Sequence, residues 1–228
     1  MKIIIQNIIL NYFKIPALVI DRLEFFRLGV IGKSGSGKTN LIKVLCGLEE
    51  IESGEIYIGV NEVGVTKPKD REIALLSDNT PLFRSKSVFY NLKYALKKRR
   101  MGKNDIRARV FEIANEFDLG ELNKKVKDLS EEEIIRVLVA RAFVRRPMLL
   151  LVDEPVLFLD NVDYFYETLQ KALSNYNSCV CFCTFDFDAI KDLCDKFIVL
   201  DKGQIIFEGN LEEMKNCPDK FVRSVCFL

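Results

Sequence analysis

The run Gly32-Lys33-Ser34-Gly35-Ser36-Gly37-Lys38-Thr39 sets Gly32, Gly37, Lys38 and a terminal hydroxyl in the spacing G-x-x-x-x-G-K-T, with a third glycine, Gly35, between. Glycines let a backbone turn tightly and point its N–H groups at a phosphate, which a helix N-terminus then favours electrostatically. Lys38 is placed to reach the outer phosphates and the Thr39 hydroxyl to ligate Mg2+. The chemistry implied is the binding of a nucleoside triphosphate by Gly32, Lys33, Ser34, Gly35, Ser36, Gly37, Lys38 and Thr39. A second group stands in "LLLVDEP", where an apolar strand delivers Asp153 and Glu154 to its C-terminal end. Ligands bind at that end in open α/β sheets. Asp153 would hold Mg2+ directly or through water, and Glu154 would act as the catalytic base that polarises the attacking water.

Such groups need rigid elements to position them. "LGVIG" reads as a short buried strand and "NLIKVLCGL" as a helix that starts straight after the glycine loop. "KIIIQNIIL" and "GEIYIGVN" read as further strands, "PMLLLVDEP" and "SCVCFCTF" as strands buried on both faces of a parallel sheet, and "KFIVLDKGQIIFEGN" as a hairpin closed at Lys202-Gly203. Between about Ser87 and Arg145, "SVFYNLKYALKKRR", "NDIRARVFEIANEFDL" and "SEEEIIRVLVARAFV" carry helical periodicity instead. The pattern is a helical insert in an α/β core.

Composition allows one compact unit of this kind. The chain has 228 residues, 49% hydrophobic and 29% charged, so a sizeable core is expected and disorder is not. Its net charge of +1 supplies no field for nucleic acid or an anionic membrane, and no apolar run reaches the length of a membrane span. The basic run Lys97 to Arg100 reads as a solvated helix end. Seven cysteines and no histidine, with Cys179, Cys181 and Cys183 alternating along one strand, suit core packing in a reducing compartment rather than a disulfide framework or a metal site.

With these pieces on the page, the chain resembles the ATP-binding subunits of ABC transporters, importer-like, from its first strand nearly to its C-terminus. The resemblance is carried by "GKSGSGKT", by "LSEEEIIRVLVARAFVRRPMLLLVDEP" and by "KFIVLDKGQIIFEGNLEEM". It implies an α/β fold: a P-loop NTPase (RecA-like) core, about 1–86 and 146–228, with an inserted helical subdomain, about 87–145, and an N-terminal antiparallel β subdomain, all one nucleotide-binding domain over 1–228. It also implies ATP and Mg2+ as cofactors, a transmembrane transporter subunit as partner, and a homodimer or heterodimer with another ATP-binding subunit. No nucleic acid partner is expected, and the location is cytoplasmic, peripheral on the membrane. Tyr12, with Phe13 as second choice, would stack on adenine, since adjacent strand residues face opposite ways and one of them serves. Segment 78–96 would receive the membrane subunit, with Val88, Phe89, Leu92 and Leu96 on an apolar face, and "VLFLDNVD" keeps Leu159 and Asp160 of a dimer-contact loop. The sequence ends at "FVRSVCFL", before the extra C-terminal β domain of some importer subunits, so regulation through such a domain is not expected.

Three positions depart from the family's pattern. Its signature Leu-Ser-Gly-Gly-Gln stands here as Leu129-Ser130-Glu131-Glu132-Glu133. In the family that serine grips the γ-phosphate of the opposite protomer's ATP. Here Ser130 and Glu133 form a capping box that occupies the helix N-terminus, while the carboxylates repel a triphosphate. Asp78 stands at the glutamine that senses Mg2+ and water; it keeps metal-ligating oxygen and loses a donor. Phe185 replaces the histidine that contacts the γ-phosphate, and loss of such a donor costs about 10²- to 10³-fold in rate. The expectation is an ABC-type ATPase that binds ATP and hydrolyses it slowly. The alternative is a nucleotide-gated regulatory or structural subunit, while a soluble P-loop kinase would leave "LSEEE" leading into "LLLVDEP" unexplained.

Overall fold

The glycine loop is held by the strand and helix expected on either side of it. The computed structural model describes residues 1–78, 81–97, 101–153 and 161–226; Glu154, Leu159, Asp160 and Lys98 to Arg100 fall outside them. Strand β3 (Arg27–Ile31) runs into the loop and helix α1 (Lys38–Cys46) leaves it. In α1 the apolar positions Leu41, Ile42, Val44 and Leu45 are buried, at about 1.5–3 kcal/mol per side chain. Gly47, at φ 71°, ends the helix, and its last carbonyls are covered by a side chain. Arg71 Nη1 donates to the oxygens of Val44 and Leu45 at 2.9 and 2.6 Å. A buried guanidinium thus replaces water at the helix end.

Ten strands of the described residues share one sheet. Besides β3 they are β1 (Ile3–Tyr12), β2 (Ile15–Phe25), β4 (Ser53–Ile58), β5 (Asn61–Glu62), β6 (Ile73–Ser77), β7 (Leu149–Asp153), β8 (Cys179–Thr184), β9 (Lys196–Asp201) and β10 (Gln204–Gly209). Their order is β5-β4-β1-β2-β10-β9-β3-β8-β7-β6. The strands β9, β3, β8 and β7 run parallel, whereas β1 pairs antiparallel with β2 and β4. A single parallel pairing, Gln204 with Val19, joins the two sets, so the antiparallel strands expected at the N-terminus continue the core sheet.

All six residues of β8, Cys179 to Thr184, are buried, as a central parallel strand requires. Its thiols pack with Ile3, Ile5, Leu41, Leu45, Leu149 and Ile198. The described cysteines are free, and no group of His, Cys, Asp and Glu among the described residues is arranged to hold a metal.

The chain divides into two compact units. One holds the sheet up to Leu75 with β7 to β10, α6 (Leu211–Lys215) and α7 (Lys220–Cys226); the other is helical. The helical unit contains α2 (Val88–Leu96), α3 (Lys103–Glu116), α4 (Glu131–Phe143) and α5 (Val162–Asn175). The sequence division assigned α5 to the core, but the helix follows its contacts and groups with the helical unit. Arg109 lies in that unit, 8% exposed, and donates to the carbonyls of Phe143 and Val144 at the end of α4. No described helix is long and apolar enough to cross a membrane.

Candidate functional site

On the sheet unit, the loop after β3 turns through Gly35 (φ 77°) and Gly37 (φ 111°), conformations that other residues adopt at a cost of about 1–2 kcal/mol. The Ser36 N–H donates to the Lys33 carbonyl at 3.1 Å, closing the turn. Lys38 is 5% exposed, and its ammonium donates to the carbonyls of Gly32 (2.6 Å) and Lys33 (3.2 Å). Lys33, Ser34 and Gly35 at the rim and Thr39 on the first turn of α1 are exposed.

The N-terminus of α1 is built to receive an anion. Its N-cap is Gly37, no side chain caps it, and no acid sits in its first turn. Buried Ser36 Oγ has no hydrogen-bond partner, and a Cβ added to Gly35 would meet nothing within 4 Å. Open space, an uncapped positive helix end and an orphaned hydroxyl fit a phosphate chain.

Asp153 ends β7 opposite Cys183 of β8, which lies opposite Val30 of β3. The acid therefore stands two strand spacings, about 10 Å, from the strand that feeds the loop, at the same end of the sheet. The Cys183 thiol donates to the Lys38 carbonyl at 3.9 Å. Burial drives that thiol well above its ordinary pKa, and the neighbouring Cys181 adds to the shift. Hard oxygens at Thr39 and Asp153 suit Mg2+. Phe185 follows β8 directly and is 58% exposed at the same end of the sheet.

Tyr12 ends β1 and its hydroxyl donates to Asn40 Oδ1 at 3.4 Å, on the first turn of α1. Asn40 Nδ2 in turn donates to the Ala17 carbonyl at 3.2 Å. Phe13 does not behave as the strand neighbour that the sequence reading assumed. It forms a tight turn with Lys14, both at positive φ (51° and 66°), and is 99% exposed.

Sequence reasoning missed Gly203. The turn at Lys202-Gly203 closes the expected hairpin, but its glycine N–H also donates to the Ser36 carbonyl at 2.8 Å, and its carbonyl accepts from Val19 N–H at 2.8 Å. A turn far along the chain thereby buttresses the phosphate loop. No local pattern signals that role; the glycine-containing turn was the visible part.

The remaining predicted residues lie on the helical unit. Asp78, exposed, follows β6. Ser130 is the N-cap of α4: its Oγ accepts from Glu133 N–H (3.3 Å), while Glu133 Oε2 accepts from Ser130 N–H (2.7 Å). Lys124 pairs with Glu133 Oε2 at 3.2 Å. The Ser130 N–H, and Lys124 after it, hold the Glu133 carboxyl below the usual glutamate range. Glu131, Glu132 and Glu133 all occupy the first turn, so α4 has the opposite N-terminus to α1, self-capped and acidic.

A glycine loop between a parallel strand and a helix, on an α/β sheet with an acid at the end of a nearby strand, defines a P-loop NTPase. The family model described as ABC transporter matches residues 24–157. This chain belongs to the ABC transporter ATP-binding family. It is similar to the sn-glycerol-3-phosphate import ATP-binding proteins UgpC of Bartonella bacilliformis (34% identity over 195 residues, 83% of this chain and 56% of that protein) and Bartonella quintana (32% over 230, 96% and 65%). The UgpC of Yersinia pseudotuberculosis is 38% identical over 193 residues, 83% of this chain and 54% of that protein. The chain thus spans 54 to 65% of the length of these relatives. In fold it matches the ADP conformation of MJ1267, an ATP-binding cassette of an ABC transporter, with a TM-score of 0.82 at 21% identity over 99% of this chain and 98% of that one.

Proposed function

We propose that the chain is the ATP-binding subunit of an ABC importer and couples ATP binding, with slow hydrolysis, to solute passage through a transmembrane partner. The uncapped N-terminus of α1 behind the phosphate loop carries this reading. Lys38 would exchange its loop carbonyls for the outer phosphates, Thr39 and Asp153 would hold Mg2+, and Tyr12 would lie against adenine. Bound Mg2+ would neutralise charge on the phosphates. By resemblance Glu154 is the catalytic base.

Slow turnover would follow from what the resemblance sets against the γ-phosphate. Phe185 would offer no donor there, and the self-capped, acidic start of α4 would offer a partner's ATP carboxylates instead of glycine N–H groups. That second feature favours the nucleotide-gated regulatory reading, in which ATP binding alone sets assembly. The membrane partner would dock on the exposed aromatics Phe83, Tyr90 and Tyr94, whose rings lie 4.7 to 6.2 Å apart, while Val88, Leu92 and Leu96 of the predicted face are buried core. The relatives' names make sn-glycerol-3-phosphate the first solute to try.

The test is ATP affinity and turnover of the wild type, of E131G/E132G/F185H and of E132G/F185H. Tight binding with slow turnover in the wild type, and faster turnover in either variant, is expected. Wild-type turnover at an ordinary enzymatic rate, roughly 10 per second, would overturn the impaired reading.

A further inference from the structure

Lys33, inside the phosphate loop, is met by a side chain from α7. Its ammonium lies over the Phe221 ring, 5.1 Å from the centroid, and pairs with no acid among the described residues. The Lys33 carbonyl accepts from the Lys38 ammonium and from Ser36 N–H, so the residue is fixed at its base by the loop and met at its tip by the ring. Phe221 is anchored in turn. It stands in the first turn of α7, where Asp219 Oδ1 accepts from Phe221 N–H at 2.7 Å and from Val222 N–H at 3.0 Å. Val222, Val225 and Cys226 bury the other side of that helix. An aromatic face attracts a cation through its quadrupole and leaves the charge in place, whereas a carboxylate would neutralise it. The rim of the loop thereby keeps a full positive charge.

We propose that Phe221 is a positioning residue for nucleotide binding: it holds the Lys33 ammonium beside the phosphate loop, where that charge attracts the triphosphate. The inference rests on the ATP-binding reading and adds to it a second cation besides Lys38, supported from far along the chain. A free lysine loses much of its rotamer freedom when a ligand fixes it, and the ring removes part of that loss before ATP arrives. Leucine at position 221 would keep the apolar packing and lose the quadrupole; tyrosine would keep both.

Two measurements on the full chain test this, one of the contact and one of its effect. Ring current from Phe221 should move the NMR signals of the Lys33 Cε protons upfield in the wild type, and F221L should return them to the ordinary lysine position. By titration, F221L should bind ATP about two- to fivefold more weakly, while F221Y matches the wild type. K33M should weaken ATP binding at least as much, and F221L added to K33M should then cost nothing further. A general loosening of α7 would instead cost the same with or without the lysine. Unshifted Lys33 protons in the wild type, ATP affinity of F221L equal to wild type, or an undiminished loss on adding F221L to K33M would each overturn the proposal. A shifted Lys33 in a wild type that binds no ATP would overturn the ATP-binding reading and still bear out the contact.

Discussion

At the scale of single residues, the phosphate loop depends on atoms that its motif does not contain. Gly203 touches it from a hairpin turn, and a Cβ there would lie 2.4 Å from the Ala17 carbonyl oxygen. Gly35 offers the comparison, since its φ of 77° is as unfavourable for alanine as the 78° of Gly203, yet its surroundings are open. G35A should therefore cost about 1–2 kcal/mol, from backbone conformation only. G203A adds a backbone clash to the same strain and should cost about 3 kcal/mol, with weaker ATP binding because the Ser36 carbonyl loses its support. Urea unfolding and ATP titration of both variants check this. Equal stabilities would mean that the turn moves aside freely and does not support the loop.

At the scale of elements, α1 and α4 show how two helix starts are set to opposite tasks by their first turns. The Ser130 to Glu133 box was legible in the sequence, because spacing alone specifies it, as were β3, α1, β7 and the β9 to β10 hairpin. The turn at Phe13-Lys14 was not, since neither residue type favours positive φ and pairing of β1 with β2 imposes it. Nor was the hydrogen bond from the Asn161 backbone N–H, at the start of α5, to Glu131 Oε1 (2.8 Å), which joins distant residues with no periodicity to betray them. The cap has a pH signature. Glu133 is held below the ordinary glutamate value of 4.5, so its contribution to stability is fully present above that pH and is lost as pH falls through the depressed value. The stability difference between wild type and E133Q should accordingly shrink as pH is lowered below about 4.5, and S130A should cost about 1 kcal/mol at neutral pH. Parallel pH profiles for wild type and E133Q would show that the carboxylate plays no part in the cap.

At the scale of the whole molecule, the question is what ATP does to association. In the family's arrangement each ATP bridges one protomer's loop and the other's signature, so a homodimer of this chain would set Glu131 and Glu132 against each triphosphate. At contact range each carboxylate opposes closure by about 1 to 4 kcal/mol, and every 1.4 kcal/mol is about tenfold in affinity. Ordinary contacts elsewhere would struggle to offset four such charges. Wild type with ATP is therefore expected to stay monomeric at concentrations where E131Q/E132Q, which keeps the Asn161 acceptor and removes the charge, already dimerises; at least a tenfold gap is expected by sedimentation velocity. Because the opposing force is screened, the gap should narrow as ionic strength rises from about 0.15 M toward 1 M, where the screening length falls from about 8 Å to about 3 Å. If wild type dimerises with ATP as readily as the variant at low salt, the glutamates do not face the partner's nucleotide. Closure would then take a geometry other than the family's.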